Sequence, residues 1–383
     1  MRIAYLLLAD ATAAELATVM RVAAADCALH EVLLLAPDAL LAGDAVPDPR
    51  LRRVRLRGVS VRAHRVEREL AMFGPDRVQA GSARAARLLD RLYPRRDDRH
   101  AGEPARCWRF PRRPPHGLRY LLRAARYLWT SRVLRPPTLV AEARYCAMRF
   151  EARTADRHAR KLSRHGVHEP VLTAWLLENL RLRAGEVALD VGANIGWYSV
   201  LLDRLAEPGV SIFCFEPDPE NGELLRRNLE RNAARRVQVV AAAVSDTGHG
   251  ATLHRAGGGN RGRHTLLPLH AGDDIAVPTL TLDAFWDEAG LGERALRLLK
   301  IDIEGHEAAA LRGASRVLAR CAMLLMEYSP RFLRAAARDV EEPLRLPLAA
   351  GLRPHVFDGD GLRAVDVGEL LATEGQVNLL WLR

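Results

Sequence analysis

Val187-Ala188-Leu189-Asp190-Val191-Gly192-Ala193-Asn194-Ile195-Gly196-Trp197-Tyr198-Ser199 reads as an apolar strand that ends at an acid, breaks into a glycine turn and enters a helix. In open α/β sheets the ligand lies in the crevice at the carboxyl ends of the strands, so this turn marks a binding site. Its glycines allow close backbone approach, and the helix start presents free N–H groups. The next strand, Ser211-Ile212-Phe213-Cys214-Phe215, also ends in an acid, Glu216, followed by Pro217. A carboxylate there is placed to accept both hydroxyls of a ribose.

The order Asp190-x-Gly192-x-Asn194-x-Gly196 departs from the G-x-G-x-x-G of dinucleotide sites. An acid directly ahead of the glycines repels a pyrophosphate but suits the ammonium or sulfonium of S-adenosylmethionine. A nicotinamide-dependent oxidoreductase is disfavoured on this ground.

Further along stands Leu299-Lys300-Ile301-Asp302-Ile303-Glu304-Gly305-His306-Glu307. Together with Asp190–Gly196, Glu216-Pro217-Asp218-Pro219 with Asn221, Ala243-Val244-Ser245-Asp246 and Thr279–Asp283, it resembles the FkbM-type S-adenosylmethionine-dependent O-methyltransferases. The resemblance covers about residues 166–383. It implies a class I methyltransferase (Rossmann-like) fold with a seven-stranded, mostly parallel sheet. It also implies cofactor contacts at Asp190, Gly192, Ala193, Asn194, Gly196, Glu216, Pro217 and Asn221, with Ser245 and Asp246 at the adenine edge. Acceptor contacts are implied in the insertion after Asp246, at Asn260, His264 and Thr265. The acceptors implied are glycan sugars or secondary metabolites, and a sugar of a bacterial surface glycan is expected here.

The residue pattern supports the same sheet independently. Apolar runs at 187–191, 211–216, 237–244, 297–303, 322–327 and 377–382 alternate with helical patterns, as in a doubly wound sheet. Between His355–Phe357 and 377–382 no packed crossover helix is expected, so the last strand is expected to be antiparallel. Asp358 and Asp360 read as turn residues.

Lysine occurs only at 161 and 300, although the chain has 57 basic residues. Where arginine is so dominant, a retained lysine points to a site that needs a compact ammonium. Alternation along a strand puts Lys300, Asp302 and Glu304 on one side. Asp302 and Glu304 are candidates to orient the methyl donor and the acceptor hydroxyl. Asp302, Glu304 or His306 is the candidate base, and His306 also reads as a first-turn helix residue facing solvent. The carboxylates offer hard oxygen ligands, but the spacing demands no metal.

Residues 101–165 hold 15 Arg and one Lys against four acids, a net +12 where the whole chain carries +10. Prolines 111, 114, 115, 136 and 137 mark this stretch as an Arg-rich helical linker, with one helix expected over 117–134. There Arg119, Arg123 and Arg126 share a face opposite Leu121, Leu128 and Trp129. Packing against a neighbouring domain is the expected role, while an anionic membrane or an acidic partner also suits such a helix. RNA binding is the alternative function, although arginines and aromatics do not interleave as stacking platforms require.

Residues 1–100 read as a small α/β domain, with strands at 2–8, 31–35 and 51–59 and a helix at 11–25. Met1–Ala9 is similar to the opening of core-2/I-branching glycosyltransferases. Asp10-Ala11 stands where those have His-Lys, and residues 1–165 hold no D-x-D, so glycosyl transfer is unsupported. The five cysteines are scattered, without C-x-x-C, which fits a reducing compartment and a cytoplasmic protein without structural zinc. Neither a signal peptide nor a membrane span is expected. The sequence leaves the oligomeric state open.

Overall fold

A computed structural model describes residues 118–143, 148–255, 264–267, 274–358 and 361–383, together with four strands near the start of the chain. These strands, β1 (Arg2–Leu6), β2 (Glu31–Pro37), β3 (Leu51–Leu56) and β4 (Arg77–Ala80), form a parallel sheet in the order β3-β2-β1-β4. The expected helix at 11–25, Asn260 with its glycine-rich loop, and Asp360 lie outside the described residues.

The described residues fall into two compact units. The first contains the four strands, and the second contains 118–142, 149–171 and 180–383. The stretch 118–165, expected as linker, is thus largely built into the second unit. Its strands β5 (Thr138–Glu142) and β6 (Arg149–Arg153) pair antiparallel. Two asparagines hold β6 by its backbone: Asn228 accepts from the Glu151 N–H at 2.7 Å, and Asn232 accepts from the Arg149 N–H at 2.8 Å. Each amide also donates back to the same residue's carbonyl. Sequence patterning misses this hairpin because side chains on a helix, one turn apart, satisfy its edge in place of another strand.

The second unit is organised around eight strands. These are β7 (Val187–Val191), β8 (Ser211–Phe215), β9 (Val237–Val240), β14 (Leu296–Ile301), β15 (Met323–Tyr328), β16 (Arg353–Asp358), β17 (Gly361–Ala364) and β18 (Val377–Leu382). Their order is β17-β16-β18-β15-β14-β7-β8-β9. From β15 to β9 the strands are parallel, and β18 runs antiparallel between β15 and β16. The mostly parallel sheet and its antiparallel closing strand were legible. The count of seven was not, because the short hairpin strand β17 adds an eighth. A short helix, Val367–Ala372, capped by the Asp366 carboxylate, lies in the connection to β18, which is no crossover because β16 and β18 are antiparallel.

Every residue of β7 is buried, as befits a central parallel strand covered on both faces. Trp381, Tyr328 and Phe215 are among the largest fully buried side chains. The expected strand 237–244 is divided. β9 ends at Val240, and β10 (Ala243–Val244) leaves the main sheet to pair with β13 (Thr279–Leu280). In the insertion that follows, β11 (Ala251–Leu253) pairs antiparallel with β12 (Ile275–Val277). β14 ends at Ile301, so the alternation assumed for Lys300, Asp302 and Glu304 stops after Lys300.

Candidate active site

The carboxyl ends of β7, β8, β14 and β15 border a cavity of about 400 Å³. The glycine turn forms its floor, and backbone geometry explains the glycines better than ligand approach does. Gly192 has φ +79°, and a Cβ there would lie 2.0 Å from the Asp302 carbonyl oxygen. Gly196 has φ +92°, and its Cβ would meet Leu225 at 2.6 Å. The turn is also pinned to β8, since the N–H groups of Gly192 and Ala193 both donate to the Phe215 carbonyl at 3.0 Å. Gly192 and Ala193 line the cavity, but their N–H groups are engaged within the fold. Gly192→Ala is expected to cost about 3–5 kcal/mol through backbone strain plus overpacking. Urea unfolding checks this, and an unchanged midpoint would show that the 302–303 loop gives way freely.

Asp190 is fully buried behind the turn rather than on the cavity wall. Ser199 Oγ donates to it at 2.6 Å, and the Lys300 ammonium lies 3.3 Å from its other oxygen. Lys300 also sits 3.6 Å from Asp302, 3.3 Å from the Gly192 carbonyl and above the Tyr198 ring. Burial works against the ammonium, but Asp190, Asp302 and Glu169 outweigh it and hold its pKa above the usual lysine range. The role expected of Asp190, greeting a cationic ligand directly, is therefore corrected. Its charge is compensated internally and fixes Lys300.

Glu216 does face the cavity. Its carboxylate accepts from the Asn194 N–H at 2.8 Å and the Asp218 N–H at 3.0 Å. Burial nonetheless raises its pKa to about 7 against those hydrogen bonds. Pro217, Asn194 and Asn221 share the wall. Asn194 has φ +52°, and its side-chain oxygen is buried without a hydrogen-bond partner. Asp218 caps the helix Pro219–Arg231 and is tied to Arg255 at 2.6 Å.

Ser245 and Asp246 are not on the wall, where Ala242, Ala243 and Val244 stand instead. Asp246 turns away to Arg312 at 2.7 Å, and Ser245 Oγ meets His306 Nε2 at 2.9 Å. The break between β9 and β10 explains the shift in position. His306 lines the cavity as the N-cap of the helix Glu307–Arg312. Burial, with Arg338 and Arg312 nearby, lowers its pKa to about 4 despite Asp246, so it is neutral at physiological pH.

Asp302, Glu304 and Glu327 bring carboxylate oxygens within 4.8 Å of one another, a set of hard donors such as a divalent cation takes. Burial first, then the neighbouring Asp302 and Glu304, raise the Glu327 pKa to about 10, so Glu327 carries its proton here. Glu304 has φ +50°, and its carbonyl accepts from Thr265 Oγ1 at 2.7 Å. Thr265, expected to meet an acceptor, is on the cavity wall and also anchors the insertion to this loop. His264 is on the wall, 3.6 Å from Asp218.

Sequence reasoning missed the remaining wall. Arg157, His158, Lys161 and Leu162 from the helix Arg157–His165, then His168 and Glu169, line the cavity, as do Glu327, Gln376 and Asn378. Glu169 accepts from the Tyr198 hydroxyl and from Asn378 Nδ2. Composition held the missed signal, since both lysines of the chain line this one cavity. Reading 101–165 as linker hid the first of them.

The family model of the Methyltransferase FkbM domain matches residues 190–345. Residues 190–345 are an FkbM methyltransferase domain. Over 162 residues the chain is 26% identical to the 2-O-methyltransferase NoeI of Sinorhizobium fredii, covering 38% of this chain and 65% of that protein. It is 42% identical over 72 residues to the 31-O-demethyl-FK506 methyltransferase FkbM of Streptomyces tacrolimicus, 19% of this chain and 27% of that one. A protein-L-isoaspartate O-methyltransferase of Aeropyrum pernix is 34% identical over 120 residues, 31% of this chain and 44% of that one. The chain spans less than two thirds of the length of each. In the FkbM domain the matched stretch holds the glycine turn, Glu216 and Asp302, but not the wall from 157–169.

Proposed function

We propose that this chain is an S-adenosylmethionine-dependent O-methyltransferase whose acceptor is a hydroxyl of a bacterial glycan sugar or a secondary metabolite. The observation that carries the reading is the meeting of Glu216, Asn194 and Asp302 around one cavity within an FkbM domain. The donor set fits the cofactor. Glu216 offers carboxylate oxygens to a ribose, and Asn194 brings an unpartnered buried amide oxygen. The cofactor, when bound, supplies an electrophilic methyl group on a sulfonium.

The chain's own residues then have two tasks. Asp302, beside Lys300 and 32% exposed in its side chain, is the accessible carboxylate to orient the acceptor hydroxyl and take its proton. The neutral His306 imidazole, tied to Ser245, suits positioning. Proton-bound Glu327, with Gln376 and Asn378, can hydrogen-bond other acceptor hydroxyls. The names of NoeI and FkbM, both methylating enzymes with oxygen positions in their names, support a hydroxyl acceptor. The alternative of RNA binding through 101–165 loses support, because Arg123, Arg149 and Arg153 from that segment are engaged with Glu142, Asn221 and Glu220. Among the described residues, no helix is long and apolar enough to cross a membrane. A cytoplasmic setting fits the chain's sparse, unpatterned cysteines.

Calorimetric titration of S-adenosylhomocysteine, with NADH as control, tests the reading. Glu216→Ala is expected to weaken binding by about 1.5–3 kcal/mol, the loss of a charged hydrogen bond. Because burial holds the Glu216 carboxyl at about 7, a ligand needing the carboxylate must displace a proton below that pH. Affinity is expected to rise toward pH 7 by up to about tenfold per unit and to level above it. No binding to a folded sample, or a flat pH profile with an unaffected variant, would remove Glu216 from the site.

A further inference from the structure

The helix Leu118–Trp129 continues through a five-residue π turn, Thr130–Leu134, that buries none of its residues. Its packed face is polar. Arg123 donates to the Glu142 carbonyl at 2.7 Å and the Ser163 carbonyl at 3.3 Å, while the buried Tyr127 donates to the Thr154 carbonyl at 3.0 Å. The outward face is the apolar one, with Trp129 at 61% exposure, Val133 at 55%, Leu134 at 64% and Leu128 at 37%. Leu128 and Trp129, read from the sequence as lying opposite the arginine face, are thus exposed. Trp129 and Val133 lie one turn apart, so these side chains form a local apolar tip rather than scattered exposures.

The charges of the tip's own stretch are of one sign. Arg126, Arg132 and Arg135 are exposed beside it, and no acid occurs between residues 118 and 141. Large apolar side chains with tryptophan, ringed by arginine, suit an interface whose interior is hydrocarbon and whose surface is negative. An acidic protein groove would satisfy the arginines but leave Trp129 and Leu134 without a matching apolar depth. We infer that the tip Leu128–Leu134 docks this chain peripherally on a bilayer rich in anionic lipid, with Trp129, Val133 and Leu134 inserted at the headgroup boundary. The docking is independent of the methyl-transfer reading.

Co-sedimentation of the full chain with vesicles tests it, comparing pure phosphatidylcholine with an equal mixture of phosphatidylcholine and phosphatidylglycerol. Binding is expected on the mixed vesicles only, and to weaken steeply with salt. A double variant Trp129→Ser, Leu134→Ser is expected to lose binding by about tenfold or more at unchanged melting temperature, since both residues are exposed. Arg132→Glu is expected to weaken it by about fivefold or more. Absence of sedimentation with mixed vesicles, or sedimentation unaffected by these variants, would overturn the proposal. So would a concentration-dependent dimer abolished by Trp129→Ser without vesicle binding, which would make the tip an interface between copies.

Discussion

Lys300→Met is expected to destabilise the fold by about 3–5 kcal/mol. Lys300 and Asp190 are both buried, their charged groups 3.3 Å apart, and the carboxylate's other oxygen already takes Ser199. Removing the ammonium leaves a buried carboxylate with one hydroxyl partner, and methionine supplies volume but no charge. Thermal unfolding by circular dichroism measures the loss. Adding Asp190→Asn should recover part of it, because the stranded charge disappears, and a non-additive cycle distinguishes pairing from packing. The pH dependence has a fixed sign. The Lys300 pKa is raised on folding, so its contribution is fully present below the ordinary lysine pKa of 10.5 and is lost only as pH climbs above that. A variant as stable as the parent would mean that the pair is replaceable by packing alone.

Asp302→Asn is expected to lower turnover by about 10²–10⁴-fold, the range for a lost general base, while S-adenosylhomocysteine affinity changes far less. The amide keeps the size and hydrogen-bonding reach of the carboxylate but cannot take the acceptor's proton. Labelled methyl transfer to glycan extract from a strain lacking the gene gives the rate, and calorimetry gives the affinity. Lys300 keeps Asp190 as partner, so the fold should lose much less than it does in Lys300→Met. Unchanged turnover would move the proton-accepting role to His306 or Glu304. A variant that melts as low as Lys300→Met would make Asp302 structural.

Much of this architecture is visible in the chain. The alternation of apolar runs with helical stretches gives a mostly parallel sheet, and acids at the ends of two strands locate the cavity. Patterning fails where side chains, not strands, satisfy the backbone. The β5–β6 hairpin leans on Asn228 and Asn232, whose partners lie about 80 positions away. It also fails where a strand breaks. The gap between β9 and β10 takes Asp246 to Arg312 and puts Ala243 and Val244 on the wall instead.

The sequence by itself determined the class of fold, the position of the glycine turn and the candidacy of Glu216 and Asp302. Those depend on local periodicity and on which residue types can end a buried strand. Only the tertiary structure decided which charges face the cavity and which of them are neutralised by a buried partner. Asp190 and Lys300 are 110 residues apart and meet only because β7 and β14 are neighbours in register, Lys300 opposite Asp190. Lys161 reaches the same cavity from a stretch that composition alone marks as linker. Burial and pairing are properties of neighbours brought together by the sheet, and no local pattern carries them.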